Sequence, residues 1–358
     1  MTKTRFPFIA LAVSALALTA CDPGAELTDT SEVPETSESS EELFSVVATL
    51  IPEFFWGGDY ACWGGNPNWC IEGTQMFIGG CDNRNPGPTT CTTSPSLPYA
   101  HVGRLSNGCT GTLITDRHVL TAAHCVVNEN GTQKINGSLG FSLAQVRDCA
   151  AGGCPFGTQY VERIFVPDRY DLSISLANRK AMDVAILKLK NPIAGATPLN
   201  LPGVVDIAQT WNQPMYSLGY PGDKTGSEAR TVWNVVGEQH GLQAFPPGVQ
   251  FYETDIDGYG GQSGSPVYLY REGQRKIVGV LIGSTLAACQ AGSDWVTRLT
   301  PWIYDFIIGP ALFYDWWQIN VAELKVFDVP QVPTDIPGNC FGGGGGRGGG
   351  IGGTRGGN

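Results

Sequence analysis

Histidine is scarce in this chain, with four among 358 residues, and methionine is equally rare at four. No His-Glu-x-x-His pattern and no paired cysteine spacing of the zinc type occurs, so neither a metal site nor any other cofactor is expected. Basic residues are also in short supply: 22 Lys and Arg stand against 33 Asp and Glu, a net charge of −11. A nucleic-acid binder needs clustered cations to neutralise phosphates, so that class is excluded. The apolar run at the N-terminus, Phe6 to Ala20, is too short to span a bilayer comfortably.

Glycine and proline are plentiful, at 48 and 24, and 42% of the residues are hydrophobic. Turn-forming residues in that number favour an all-β domain with loops over a helical one. Short β-rich runs recur between turn signals: Ala100–Leu105, Thr110–Thr115, His118–Thr121, Val161–Val166 and Val184–Leu189. A second series follows at Met215–Leu218, Thr231–Val236, Val249–Thr254, Pro266–Tyr270, Lys276–Ile282 and Trp295–Leu299. Such a pattern predicts a barrel or sandwich. One segment, Pro301 to Ile308, reads as helical, with proline at a tolerated first-turn position and Gly309-Pro310 as its stop.

The chain divides by composition. Residues 1–21 have the basic end and apolar run of an export signal. They finish in Leu18-Thr19-Ala20-Cys21, which resembles a bacterial lipobox and predicts lipidation of Cys21 and a membrane tether. Residues 22–42 hold eight carboxylates and no basic residue, a self-repelling linker that cannot bury enough to fold. Residues 43–93 crowd Phe54, Phe55, Trp56, Trp63 and Trp69 among Cys62, Cys70, Cys81 and Cys91, as in a disulfide-stapled module or propiece. The main domain is expected over 94–309, an extension over 310–340 and a glycine-dominated tail over 341–358. Eleven cysteines less Cys21 leave an even number, suited to an oxidising compartment, and place the protein in a cell envelope or outside the cell.

Three local settings carry chemistry. Ser263 stands among glycines in Gly260-Gly261-Gln262-Ser263-Gly264-Ser265-Pro266. Small neighbours there let a substrate carbonyl approach and leave backbone N–H groups free to meet its oxygen. His124 follows a strand ending in two alanines, and Asp183 opens an apolar strand where a charge is costly unless paired. A serine hydroxyl needs a base to take its proton, histidine has a suitable pKa, and a carboxylate fixes the imidazole tautomer. Cys109 lies sixteen residues before Cys125, and a bridge between them would anchor the segment bearing His124.

Thr121-Ala122-Ala123-His124-Cys125, Asp183-Val184-Ala185-Ile186-Leu187 and Gly261-Gln262-Ser263-Gly264-Ser265-Pro266, in that order, resemble the chymotrypsin-like serine proteases. Trp295-Val296-Thr297-Arg298-Leu299 followed by Pro301-Trp302-Ile303 is similar to that family's closing strand and terminal helix. Gly-Ser-Pro and Gly219-Tyr220-Pro221-Gly222-Asp223-Lys224 resemble the bacterial glutamyl endopeptidase branch more than trypsin. The resemblance implies two six-stranded antiparallel Greek-key barrels with a short C-terminal helix, acting on polypeptide substrates. His124, Asp183 and Ser263 would be catalytic, and the N–H groups of Gly261 and Ser263 would form the oxyanion hole.

Specificity and activation are less fully specified. Asp257, six residues before Ser263, takes the place whose carboxylate gives trypsin its basic preference. In the glutamyl branch a histidine holds the substrate carboxylate, and Leu281 takes that place here; leucine cannot compensate a buried charge. Gln262 replaces the aspartate that pairs with a freed amine in trypsin-style activation, so that switch is not expected. The rival reading is a catalytically silent surface binding protein on a protease scaffold. An α/β-hydrolase esterase is disfavoured because Ser265 stands where its Gly-x-Ser-x-Gly elbow needs glycine.

Overall fold

The β-rich runs fold into two closed antiparallel barrels in the computed structural model, which agrees with the architecture expected above. The structure describes residues 82–331, apart from 91, 147–154, 200–209, 226–227, 229, 272, 285–292 and 318–321. The export signal with Cys21, the acidic linker, most of the Cys- and aromatic-rich segment and the glycine-rich tail lie outside the described residues. The chain divides into two units, Met1–Trp63 and Gly64–Asn358, and every described residue falls in the second.

A two-residue edge strand, β1 (Asn85–Pro86), comes first. The first barrel then comprises β2 (Val102–Leu105), β3 (Thr110–Leu113), β4 (His118–Thr121), β5 (Gly140–Leu143), β6 (Thr158–Pro167) and β7 (Ala185–Leu189). The second comprises β8 (Pro214–Gly219), β9 (Trp233–Phe245), β10 (Val249–Thr254), β11 (Pro266–Arg271), β12 (Gln274–Ser284) and β13 (Asp294–Arg298). Pairing of β6 with β7 closes the first ring and pairing of β8 with β9 closes the second. Numbered by chain order within each barrel, both rings run 1-2-3-6-5-4, so one topology is used twice. Two edge strands are added outside the rings: β1 on β9, and β14 (Leu324–Asp328) on β6.

Burial explains the patterns. β9 alternates buried and outward residues from Trp233 to His240, the signature of a strand with one wet face. β7 is buried along its whole length, so its sequence reads as a continuous apolar run around Lys188. Leu105, Leu113, Leu120, Phe141, Ile164 and Ile186 fill the first barrel, while Met215, Val235, Tyr252, Val267 and Val296 fill the second. Tyr99, Val102, Leu218, Tyr220, Val232 and Tyr268 form a third buried cluster, drawn from both barrels. Gly103 is required on β2 because a Cβ there would lie 2.5 Å from the Phe141 ring.

The terminal helix departs from the sequence reading. Gly309-Pro310 does not stop it: α2 (Pro301–Ile303) runs through a wider, π-type turn over Tyr304–Ile308 into α3 (Gly309–Trp317). An isolated helix should break at Pro310, which has no N–H to donate. The wide turn accommodates it, with the Gly309 N–H reaching back to the Tyr304 carbonyl. Tertiary ion pairs then hold the continuation. Asp315 on α3 meets Lys188, which is buried on β7, and also Arg163 on β6 at 2.8 Å. Arg163 reaches Asp328 on β14 at 3.2 Å, so the segment after residue 309 is stitched onto the first barrel. A short helix not expected from the sequence, α1 (Leu176–Ala181), is capped by Ser175 and leads directly into Asp183.

Candidate active site

The first barrel delivers histidine and aspartate side by side. β4 ends in Thr121, whose hydroxyl donates to the Thr110 carbonyl at 2.7 Å, and a single turn over Ala123–Cys125 follows. Ala122 and Ala123 are fully buried, leaving no side chain to compete with the imidazole. The His124 backbone N–H donates to Asp183 Oδ1 at 2.9 Å, and His124 Nδ1 lies 2.7 Å from Asp183 Oδ2. A carboxylate can only accept, so Nδ1 carries the proton and Nε2 is left as the basic nitrogen. The Thr297 hydroxyl, from β13 of the second barrel, donates to the Asp183 carbonyl at 3.2 Å.

Electrostatics at this pair have opposing contributions. Burial pushes the imidazole pKa down, the Asp183 charge and hydrogen bond push it up, and nearby Lys134 opposes them; the net shift is upward from 6.5. Tyr170 is buried close to the same carboxylate. Burial first, and the Asp183 charge second, raise its phenol far above the ordinary tyrosine value, so it stays protonated.

Ser263 lies on the turn before β11, in the second barrel. Two glycines around it adopt backbone angles closed to other residues: Gly261 has φ +101° and Gly264 has φ +88°. Space excludes a side chain as well. A Cβ on Gly261 would sit 2.5 Å from the Tyr220 carbonyl, and one on Gly264 would sit 2.1 Å from that of Thr110. The turn is fastened across the barrels by one residue. Thr110 N–H donates to the Ser263 carbonyl at 2.9 Å, and its hydroxyl donates to the Gly261 carbonyl at 2.8 Å. Among the described residues, the N–H groups of Gly261 and Ser263 donate to no acceptor. Ser263 Oγ and His124 Nε2 are not hydrogen-bonded to each other in this arrangement.

A cavity of about 110 Å³ opens beside Ser263, lined by Gly258, Tyr259, Gly260, Leu281, Gly283 and Asp294. Leu281 is one of its lining residues and Asp257 is not. Asp257 is fully buried and accepts the Asn83 backbone N–H at 2.8 Å. The carboxylate that reaches the cavity belongs to Asp294, at the start of β13, and its Oδ2 lies 2.2 Å from where a Gly258 Cβ would stand. Spacing singles out Asp257, six residues before Ser263, whereas Asp294 comes from β13, far along the chain from that turn.

Cys109 and Cys125 are joined by a disulfide, as the sequence led us to expect, across a separation of sixteen residues. Sγ of both cysteines and a ring nitrogen of His124 lie within 4.8 Å of one another, but oxidised cysteines offer no thiolate to a metal. Replacing both cysteines by serine is expected to cost about 3 kcal/mol in loop-closure entropy. The unfolding midpoint in urea, compared with wild type, measures it. A second groove of about 390 Å³ adjoins this bridge, bordered by Arg104, Asn107, Tyr220, Lys224, Arg230 and Gly261.

Residues that sequence reading missed also converge here. Thr110, Tyr170, Thr297 and Asp294 belong to common types whose roles arise only from tertiary contact. Arg84 is the largest omission, since its segment was assigned to a module ahead of the domain. Its guanidinium is fully buried and donates to Gln262 Oε1 at 3.2 Å.

Comparison with known proteins agrees with this geometry. Residues 109–280 match the family described as the trypsin-like peptidase domain. The chain is 29% identical to serine protease 23 of Rattus norvegicus over 216 residues, covering 52% of this chain and 51% of that protein. It is 27% identical to the glutamyl endopeptidase of Bacillus licheniformis over 196 residues, covering 53% of this chain and 54% of that one. The chain thus spans about half the length of the curated relatives it matches. A solved structure of a Glu endopeptidase in complex with MPD superposes with a TM-score of 0.52 at 24% identity, over 66% of this chain and 99% of that one, a likeness of fold. On two barrels of one topology, the chain thus carries a trypsin-like peptidase domain over residues 109–280, and its homologues are chymotrypsin-like serine proteases that include a bacterial glutamyl endopeptidase.

Proposed function

We propose that this protein is an exported serine endopeptidase that cleaves polypeptides through an acyl-enzyme on Ser263. The observation that carries this reading is the double contact of Asp183 with His124, which leaves Nε2 as the free base. In the proposed cycle Nε2 takes the Ser263 proton as Oγ attacks the peptide carbonyl. The unengaged N–H groups of Gly261 and Ser263 receive the oxyanion, and His124 then returns the proton to the leaving amine. A water molecule, deprotonated by His124 in turn, releases the acyl group and regenerates the serine. The disulfide supports export, and lipidation at Cys21 would tether the chain to a membrane. Among the described residues lining the small cavity, Asp294 is the only charged one, which supports a neutral or cationic side chain there and disfavours glutamate.

A second reading, a silent binding protein on this fold, is favoured by the missing hydrogen bond between Ser263 Oγ and His124 Nε2. That bond often tightens only with substrate present. A fluorophosphonate probe separates the two readings. Labelling at Ser263 is expected, with a rate that falls on the acid side as His124 protonates. Because the His124 pKa is raised, that fall should be centred above pH 6.5. Absence of labelling at any pH removes the enzyme reading and leaves the binder.

A further inference from the structure

We infer that Arg84 is a positioning residue for the nucleophile turn, an internal cation that sets the two oxyanion donors from a strap ahead of the barrels. The inference rests on the reading of Ser263 as nucleophile. Asp82 to Pro86 is bound into the second barrel by its backbone. Asn83 N–H donates to Asp257 at 2.8 Å, β1 pairs with Asn234 and Trp233 of β9, and Gly87 N–H donates to the Val232 carbonyl at 2.8 Å.

The strap places one guanidinium between three groups. Arg84 Nε and Nη2 donate to Asp82 at 2.8 and 2.9 Å, and Nη1 and Nη2 donate to Asp223 at 3.0 and 2.7 Å. Nη1 also donates to Gln262 Oε1 at 3.2 Å. Two forked carboxylate pairs use the planar geometry that only arginine offers. Lys224 joins them, 2.9 Å from Asp82 and 3.7 Å from Asp223, so two cations balance two carboxylates. Burial alone would lower the Arg84 pKa, but Asp82 and Asp223 outweigh it, and the group stays charged at any working pH.

Gln262 passes this grip to the turn. Its Oε1 also accepts the Tyr259 N–H at 2.9 Å, and its own N–H donates to the Tyr259 carbonyl at 2.9 Å. The loop so closed contains Gly260 and Gly261. Asp223, the other end of the grip, follows Gly222, whose N–H holds the Gly260 carbonyl at 2.7 Å. Arg84 therefore links the loop that fixes the Gly260 carbonyl to the residue between the two oxyanion donors. A neutral glutamine cannot attract a freed amine as an aspartate would. It can accept from a guanidinium that the chain supplies itself, with no proteolytic cut to create the cation. The functional unit then begins no later than Asp82, and a maturation cut between residues 87 and 93 would remove the clamp.

The test uses the full chain carrying Arg84→Met, Arg84→Lys or Gln262→Met, with Ile307→Val on the terminal helix as a stability control. Hydrolysis of a peptide substrate and affinity for a peptidyl boronate, whose oxygen occupies the oxyanion hole, are measured together with Tm. Arg84→Met should lower kcat about 100-fold, the scale of one lost oxyanion donor, with KM within about twofold and boronate affinity falling in parallel. Arg84→Lys should fall between, since a point charge cannot fork. Gln262→Met leaves the ion pairs intact, so it should reproduce the kcat loss even where Arg84→Met fails to fold. Wild-type kcat in Gln262→Met and in folded Arg84→Met, or losses no greater than Ile307→Val shows at equal Tm, would overturn the inference alone. An inert wild-type chain removes the serine-hydrolase reading and this inference with it.

Discussion

Ser263→Ala is expected to abolish peptide hydrolysis, with a loss near a million-fold in kcat, the scale seen where such triads are dissected. The reason is local. In the proposed cycle Oγ is the atom that bonds to the substrate carbonyl, and no other hydroxyl stands in its place, because the neighbouring Ser265 side chain is buried against Gly219. What remains is the pair of N–H donors at residues 261 and 263 and a His124 with nothing to deprotonate but water. Stability should barely change, since the Ser263 carbonyl accepts from Thr110 N–H and the flanking Gly264 and Ser265 are bonded through their backbones to Leu281, with no part taken by the Ser263 hydroxyl. Steady-state hydrolysis of a peptide library and a thermal melt are the two measurements. Activity comparable to wild type, with the fold intact, would place the chemistry elsewhere.

Strands were legible in the sequence where they alternate or run apolar; their partners were not. Each of the eleven expected runs overlaps a strand, because period-two patterning records which face is buried. The twelfth, β5, is only Gly-Phe-Ser-Leu, too short to stand out as a β-rich run. The edge strands β1 and β14 carry little patterning because their burial comes from one neighbour each. The shared ring order of the two barrels depends on pairings far apart in the chain, such as Gly103 with Leu143 and Val267 with Ser217, which no local window contains. Pro310 misled for the same reason. Its local preference is real, but ion pairs from Asp315 to Lys188 and Arg163 override it.

The site divides along the same line. His124, Asp183 and Ser263 stood out because each chemistry-bearing side chain is surrounded by small or apolar residues that the backbone needs there. Gly261 and Gly264 left a sequence trace, since positive φ and close carbonyls admit nothing else. Arg84 left none. An arginine between Asn83 and Asn85 looks like any exposed linker residue, and only the folded chain shows its guanidinium buried between Asp82 and Asp223. Asp257 shows the opposite failure: a residue at the expected spacing whose carboxylate is committed to the Asn83 backbone, while Asp294 reaches the cavity.

Asp183→Asn is expected to lower kcat by about ten-thousand-fold while leaving the barrels folded. Asp183 accepts two bonds from His124, one from the backbone N–H and one from Nδ1. An asparagine has one oxygen to offer and an NH₂ group that must face a donor or an acceptor. With its oxygen on the backbone N–H, its NH₂ meets Nδ1, which can only respond by becoming the acceptor. The ring proton then moves to Nε2, the atom that has to take the serine proton, and the base is blocked. A second readout distinguishes this from simple loosening. Loss of the carboxylate removes the contribution that raises the His124 pKa, while burial and Lys134, which lower it, remain. The acid limb of the residual activity should therefore move to lower pH than in wild type, as kcat falls. A pH profile of kcat/KM for the variant, set beside its thermal melt, decides the matter. A large loss with the limb unmoved would mean that Asp183 holds the loop and does not govern the charge on His124.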